Sequence, residues 1–246
     1  MVREFCIDTD GVPVVSYLRR EVQGQPWADR IEVLSPGAAD VVLREMSGWL
    51  ATGPRALADE LVTRGARLTR ATQRMTCDLS VQRPPAEWAS REPDRPLRLE
   101  PAGRPAEDLV SAWSAAYAPG HADYRPEYAD AGVVLERIEG LVAGTTFGPP
   151  SPLSGLVCDG DTVVAGLLVN DFPGDVPWGG LLITDLFRHP AYPGTGTLLL
   201  RRTLAHAASA GVGVLGLVVT DGNPVHRLYE RHGFTVFERP ATVSIP

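Results

Sequence analysis

The chain has 246 residues, 44% of them hydrophobic, which is enough for one large or two small domains with a buried core. A formal net charge of −7 argues against nucleic acid as the main partner, because surfaces that bind phosphate backbones are basic, and it favours cationic partners. No run of about 18 apolar residues predicts a membrane span, and the acidic N-terminus does not match a signal peptide, so we expect a cytoplasmic protein without a membrane partner.

Cysteine and histidine usage suggests neither cross-links nor a metal. The cysteines Cys6, Cys77 and Cys158 are isolated and odd in number, which does not fit a disulfide framework or a zinc cluster. The histidines have no ligand spacing. We therefore expect no metal site, and the sequence leaves a homodimer open.

The first 80 residues carry few clear signals. Residues 55–64 have helical spacing, Gly65 ends that helix, and 75–79 read as a strand. Prolines and charges then replace any apolar period from Arg83 to Pro96, which indicates a domain boundary. We predict an N-terminal α/β cap over residues 1–90 and a second domain over 95–246.

The second domain begins with alternating strand and helix patterns. The predicted strands are 97–100, 156–158, 163–169, 180–187 and 214–220, with a hairpin turn at Asp159-Gly160. Helical spacing covers 107–118, through Leu109, Trp113 and Tyr117, and then 126–141. The order predicts an α/β fold with a mixed sheet.

A glycine turn follows the strand that ends at Phe187. Gly194 and Gly196 lie where the next helix begins, and they leave the main-chain N–H groups open to a ligand. The unpaired amides and the positive end of the helix dipole meet there, so the turn suits a phosphate or pyrophosphate. A plain glycine loop before a helix is the duller alternative.

A short helix closes the domain. Asn223 is placed as its N-cap and Pro224 as its first residue, and Gly233 ends it. The helical spacing directs Tyr229 inward, toward the sheet.

One glycine motif matches a dinucleotide-binding pattern but lies in the wrong structural context. Residues 211–216 spell G-x-G-x-x-G, but a dinucleotide site needs a strand before this motif and a helix after it. Here the helix comes first, so we do not expect a nicotinamide or flavin.

The glycine turn and the last helix together resemble the coenzyme A-binding half of the GCN5-related N-acetyltransferase (GNAT) superfamily. The turn matches the family pattern at Pro190, Tyr192, Gly194, Gly196 and Thr197, and the later signature at Asn223, Leu228, Tyr229, Gly233 and Phe234. The chain departs from it at Pro193, Leu198 and His226. Pro193 removes one backbone donor from the turn.

The resemblance implies a GNAT fold in the C-terminal domain and acetyl-CoA as the acyl donor. In this family coenzyme A lies in a V between two parallel strands. The strand backbone of Leu186, Phe187 and Arg188 would contact the pantetheine arm, and Asn223 would contact it from the other side. The pyrophosphate would lie against the backbone amides of the turn: Gly194, Thr195, Gly196, Thr197 and Leu198.

The resemblance also implies roles in direct acetyl transfer to a primary amine. Tyr229 would protonate the leaving thiolate, or it is a core aromatic. Asp185 would act as base, directly or through water, or it is structural. His121 and Tyr124 would line the pocket of a small-molecule or peptide amine. A non-catalytic coenzyme A-binding domain and an acyltransferase for longer acyl groups stay open.

The N-terminal region has two interpretations. Its helix, glycine and strand resemble the end of a truncated GNAT half, and a generic α/β cap fits as well. Because Ser35-Pro36-Gly37-Ala38 lacks paired glycines, we place no second coenzyme there.

Overall fold

A computed structural model describes residues 2–22 and 24–246. The elements up to residue 78 are the strands β1 (Arg3–Ile7), β2 (Pro13–Val22), β3 (Gln25–Val33), β4 (Leu50–Pro54) and β5 (Arg67–Asp78), and the helices α1 (Ala38–Glu45) and α2 (Arg55–Thr63). The chain separates into two compact units. One comprises the residues up to Arg74 together with Val236–Pro246, and the other is Met75–Thr235.

The later elements follow the same chain order. The strands are β6 (Arg98–Pro101), β7 (Gly155–Asp159), β8 (Thr162–Phe172), β9 (Gly180–Arg188), β10 (Val214–Thr220), β11 (Thr235–Glu238) and β12 (Pro240–Ser244). The α-helices are α3 (Glu107–Ala116), α4 (Ala131–Val142), α5 (Thr195–Ser209) and α6 (His226–Arg231). Short 3-10 helices occupy Ala86–Trp88 and Pro126–Ala129.

The first unit is a mixed sheet with helices on one face. Its strands run in the order β1-β2-β3-β4-β12-β5, in which β3 and β4 are parallel and the other recorded pairs are antiparallel. Ala28 of β3, Ala51 of β4 and Val243 of β12 face one way and form a core with α1 and α2. On the other face, the Trp27 indole donates to the Thr52 hydroxyl over 2.8 Å.

The second unit is a sheet covered on both faces. Its strands run β10-β9-β8-β7-β6, with β9 and β10 parallel and the others antiparallel. Phe187 of β9 belongs to the core formed with α3 and α4. The next residues on either side, Leu186 and Arg188, face the start of α5 at Gly196. Since side chains alternate along a strand, α3 and α5 lie on opposite faces.

Most predicted elements of the second unit are confirmed. The strand predicted over 214–220 has the bounds of β10. The predicted hairpin joins β7 and β8, and its turn residues are Gly160 and Asp161, because Asp159 pairs with Thr162. In the G-x-G-x-x-G motif, Gly211 and Gly213 follow α5, as expected, and Gly216 lies in β10. The last helix starts at His226, two residues later than predicted, because the preceding turn is closed by tighter bonds such as His226 N–H to Asn223 O.

The compact units do not coincide with the predicted domains 1–90 and 95–246. The proline-rich segment packs on α5, where the Arg202 guanidinium donates to the Arg91 carbonyl and Arg201 lies over the Trp88 ring. At the other end of the chain, β12 pairs with β4 and β5 in the first unit. Prolines here mark an irregular segment that is packed against the second unit, and the C-terminal strand returns to the first.

In the part of the chain that the structure describes, no helix is long and apolar enough to cross a membrane.

Candidate active site

The parallel strands β9 and β10 separate before they end. Their recorded pairs are Gly216 with Leu182 and Leu217 with Ile183, although β9 continues to Arg188 and β10 to Thr220. On the other side of β9, the register with β8 shifts at Thr184, which is a β-bulge. We call the opening between the two strands beyond Ile183 and Leu217 the V. In the V, backbone groups of β9 do not form hydrogen bonds with β10 and are available to a ligand.

The glycine turn lies at the start of α5. Gly194 has a φ of 87°, a left-handed conformation that favours glycine. No side chain caps the helix, and no acceptor is recorded for the amides of Thr195, Gly196 and Thr197 within the described residues. The amide of Leu198 donates to the Gly194 carbonyl over 2.9 Å. Of the five predicted amides, that of Leu198 is used by the helix, and the amide of Gly194, like those of Thr195, Gly196 and Thr197, has no recorded acceptor in the described residues.

Packing within the protein does not require a glycine at position 196. A Cβ built on this residue would lie 3.8 Å from Leu186 Cδ1 and 4.0 Å from Arg188 Cδ, which are ordinary contacts. The Arg188 guanidinium donates to the Pro190 carbonyl over 3.0 Å, beside the turn. The missing side chain therefore leaves room on the α5 face of β9 for a ligand that approaches the amides.

Tyr229 lies on α6 and points into the protein. It is 7% exposed, and its ring contacts Phe234 edge-on at 5.7 Å between centroids. Among the described residues, its hydroxyl has no recorded hydrogen-bond partner. Burial raises the pKa of Tyr229 well above its usual value of 10, and the negative charges of Asp185 and Asp123 add to this. The hydroxyl therefore keeps its proton at neutral pH and can donate it.

Asn223 is buried before α6, and both ends of its side chain are bonded. Its Oδ1 accepts from the Val225 amide over 3.0 Å, which is the bond expected of an N-cap. Its Nδ2 donates to the Asp123 carboxylate over 2.8 Å. One Nδ2 hydrogen is left for a ligand.

Asp185 is held by three side chains on the α3 face of the sheet. Its Oδ1 accepts from the Tyr117 hydroxyl over 2.7 Å, and its Oδ2 accepts from the Trp113 indole over 3.0 Å. The Arg137 side chain of α4 has its Nη2 3.5 Å from Asp185 Oδ2 and its Cζ 5.7 Å from the Trp113 ring centroid. A carboxylate so deeply buried needs such partners, and Asp185 can reach a ligand proton only through water or through the Tyr117 hydroxyl.

Sequence reasoning missed part of this network. The sequence showed only that Trp113 and Tyr117 have helical spacing, and spacing does not distinguish packing from hydrogen bonding to a carboxylate. Burial and the charge of Asp185 raise the pKa of Tyr117 well above its usual value, so it too stays protonated. Arg137 had no sequence signal, since a single arginine on a helix is normally exposed.

The loop after α3 brings His121 and Tyr124 near this centre and adds Asp123. The His121 ring contacts the Tyr117 ring edge-on at 4.9 Å, and the Tyr124 amide donates to the His121 carbonyl over 3.0 Å. Asp123 accepts from the Thr220 hydroxyl at the end of β10 as well as from Asn223. The predicted acceptor-pocket residues therefore flank an aspartate that the sequence did not single out.

Two clefts lie elsewhere in the second unit. One of about 400 Å³ is lined by Glu92, Glu100, Arg202 and His206. Another of about 420 Å³ lies beside Leu141 and Asn170. Neither includes residues of the V, so the candidate site is identified by its open backbone donors and its polar side chains. In the described residues, no group of three or more His, Cys, Asp or Glu side chains is arranged to hold a metal.

Comparison with known proteins agrees with this geometry. A model of the acetyltransferase (GNAT) family matches residues 107–234, which are more than half of the chain. They span α3 through α6, and so contain the V, the glycine turn and Tyr229. No curated protein matches the chain at a significant level.

Solved structures share the fold at low sequence identity. A GCN5-related N-acetyltransferase from Sphaerobacter thermophilus is 16% identical, with a TM-score of 0.63 over 97% of this chain and 78% of that one. One from Kribbella flavida is 13% identical, with a TM-score of 0.55 over 100% and 89%.

A third structure is described as a tandem GNAT protein from the clavulanic acid biosynthesis pathway. It is 15% identical, with a TM-score of 0.56 over 96% of this chain and 80% of that one. These likenesses confirm the predicted fold, a mixed α/β structure with GNAT architecture. Together with the family match, they lead to one conclusion: the chain belongs to the acetyltransferase (GNAT) family.

Proposed function

We propose that the chain is an acetyl-CoA-dependent N-acetyltransferase that transfers the acetyl group directly to a primary amine. The observation that carries the proposal is the V between β9 and β10, with open amides at Thr195, Gly196 and Thr197 and the Tyr229 hydroxyl available as a donor. Membership of the GNAT family supports the same chemistry.

The residues of the turn fit the pyrophosphate of coenzyme A. Three amides at a helix N-terminus, with the positive end of the helix dipole behind them, stabilise an anion. Gly196 places no side chain over these amides, and Arg188 adds a positive charge nearby. The backbone of Leu186, Phe187 and Arg188 lies beyond the last β10 pair and offers strand-like hydrogen bonds to the pantetheine arm.

Acetyl-CoA, when bound, supplies an activated acetyl group as a thioester. Tyr229 holds a proton on its hydroxyl and donates it to the departing sulfur, as a general acid. Because its pKa lies above the usual value of 10, the hydroxyl carries its proton at neutral pH. Asn223 orients the arm with its remaining Nδ2 hydrogen.

Asp185 is proposed as the base that acts through water. Both of its oxygens already accept protein hydrogen bonds, which leaves a relayed path from the amine. The carboxylates of Asp185 and Asp123 and the overall charge of −7 favour a cationic acceptor. His121 and Tyr124 are proposed to line its pocket.

Two other functions remain as alternatives. A non-catalytic coenzyme A-binding domain is favoured by Pro193, which lacks an amide in the turn. An acyltransferase for longer chains would use the same turn with a larger acyl pocket.

Release of free thiol from a panel of acyl-CoAs, with a panel of amines, separates the three functions. Acetyl-CoA turnover that needs an amine supports the proposal. Faster turnover of longer acyl groups favours the second alternative. Coenzyme binding without turnover on any amine favours the first.

A further inference from the structure

The segment after α3 is fastened at both ends to the strands of the V. At its start, the Tyr117 hydroxyl contacts Asp185 Oδ1 at 2.7 Å and the Leu186 carbonyl at 3.3 Å, both on β9. Six residues later, the Asp123 carboxylate accepts from the Thr220 hydroxyl and from Asn223 Nδ2, at and just after the end of β10. We call residues 117–123 the strap, and the carboxylate contacts of Asp123 the latch.

The two anchors lie in the separated part of the strands. Asp185 is two residues past Ile183, the last recorded partner on β9, and Thr220 is three residues past Leu217 on β10. Consequently the strap crosses between the strands where they no longer pair. It thereby links β9 and β10 beside the opening of the V.

Internal contacts give the strap a defined shape. The His121 amide donates to the Ala118 carbonyl over 3.0 Å, and the Asp123 amide donates to His121 Nδ1 over 3.1 Å. Gly120 has a φ of 96°, which permits the turn. Because Nδ1 accepts this bond, the neutral ring carries its hydrogen on Nε2. His121 thus presents a hydrogen-bond donor from the middle of the strap and is not arranged as a base.

We infer that Asp123 is a positioning residue that sets the acceptor side of the site. One carboxylate fixes the far end of the strap to β10 and also orients Asn223, whose Oδ1 is held by the Val225 amide. The strap and the residue proposed to contact the pantetheine arm are therefore oriented by the same group. The acceptor amine would bind between the strap and the V, so this inference rests on the proposed function.

The matched variants are Asp123→Ala, Asp123→Asn and Thr220→Val, with Glu127→Ala as the control. Asp123→Asn keeps one oxygen acceptor. Thr220→Val removes the bond from Thr220 and leaves the one from Asn223, which tests the latch from the other side if the Ala variant does not fold. Glu127 is exposed and lies just after the strap, where its recorded ion pair is with Arg125 at 3.8 Å. The control loses the same charge without touching the latch.

Hydrogen exchange of the protein without any added ligand tests the latch independently of activity. In Asp123→Ala and Thr220→Val, loss of hydrogen bonds to the charged carboxylate should speed exchange of the backbone amides of residues 118–124 by roughly ten-fold or more. Exchange of the α4 amides in these variants, and of all amides in Glu127→Ala, should not change. Unchanged exchange in both Asp123→Ala and Thr220→Val would overturn the inference.

Steady-state kinetics test the positioning role. Relative to wild type, Asp123→Ala should lower kcat/KM for the amine by about ten-fold or more, and Asp123→Asn by less. The dissociation constant of acetyl-CoA should change by less than about three-fold, since the turn amides are intact. Wild-type kcat/KM in Asp123→Ala would overturn the positioning role. The two proposals can fail separately. If the wild-type protein has no turnover but the variants show the expected faster exchange, the proposed function is refuted and the strap and its latch are supported.

Discussion

Replacement of Tyr229 by Phe separates its proposed catalytic hydroxyl from its packing. The change removes one oxygen atom for which the described residues provide no recorded hydrogen-bond partner. The ring contact with Phe234 at 5.7 Å remains. We therefore expect the free energy of unfolding at neutral pH to change by less than about 0.5 kcal/mol.

Turnover should fall far more than stability. Loss of a general acid costs roughly 10²-fold or more in rate, which corresponds to about 2.7 kcal/mol of transition-state stabilisation. Coenzyme binding should persist, because the turn at Gly194 is unaffected. The fall should appear in kcat and in kcat/KM alike, as for an interaction made only in the transition state.

The assay is thiol release across a pH series, with chemical denaturation of both proteins. The raised pKa of Tyr229 predicts that its part in the basic limb of the wild-type profile begins only above about pH 10. A Phe variant with wild-type turnover and an unchanged basic limb would refute the reasoning. Tyr229 would then be a core residue, and the thiolate would take its proton from elsewhere.

Four further outcomes are expected. At a hundred times its dissociation constant, acetyl-CoA should add about 2.7 kcal/mol to the free energy of unfolding. Gly196→Asp should abolish this stabilisation, and the exposed control Gly103→Asp should keep it. Melting curves with and without the coenzyme measure both effects. Calorimetric titration should give one coenzyme per chain, and two would contradict a non-binding N-terminal unit. Asp185→Ala should destabilise the fold by about 3 kcal/mol in denaturant, because the Trp113 indole and the Tyr117 hydroxyl lose their acceptor, and Asp185→Asn by less; equal, small effects would contradict this. Folding raises the pKa values of Tyr117 and Tyr229, so the protonated tyrosines contribute their full stabilisation below about pH 10, and this is lost as pH rises through the pKa values of the folded state. Chemical denaturation at increasing pH should show this loss of stability. The loss should be smaller in the Tyr117→Phe and Tyr229→Phe variants.

The parts of the fold that the sequence predicted are those with local signals. The hairpin between β7 and β8, the buried strand 214–220 and the glycine turn each follow from neighbouring residues, and the structure has them. Strands β1 to β3 were not predicted. In β2 the register shifts between Ser16 and Leu18, which interrupts the alternation that identifies a strand.

The site was predictable only where a family pattern covers it. Gly194, Asn223 and Tyr229 belong to such patterns, and the structure places all three around the V or its turn. Asp123 is different, because its partners Thr220 and Asn223 are 97 and 100 residues away in sequence. A lone aspartate in a polar loop is typical of solvent exposure, and only the fold brings it to the end of β10.

The most direct measurement of the central claim is a product balance with acetyl-CoA and an amine found in the panel. Mass spectrometry of the amine, together with titration of released thiol, measures whether acetyl transfer is complete and direct. The account predicts one acetylated amine for each thiol released, with no acetyl group left on the protein and loss of the reaction in Gly196→Asp. Thiol release without acetylated amine, an acetylated protein intermediate, or full activity in Gly196→Asp would contradict it.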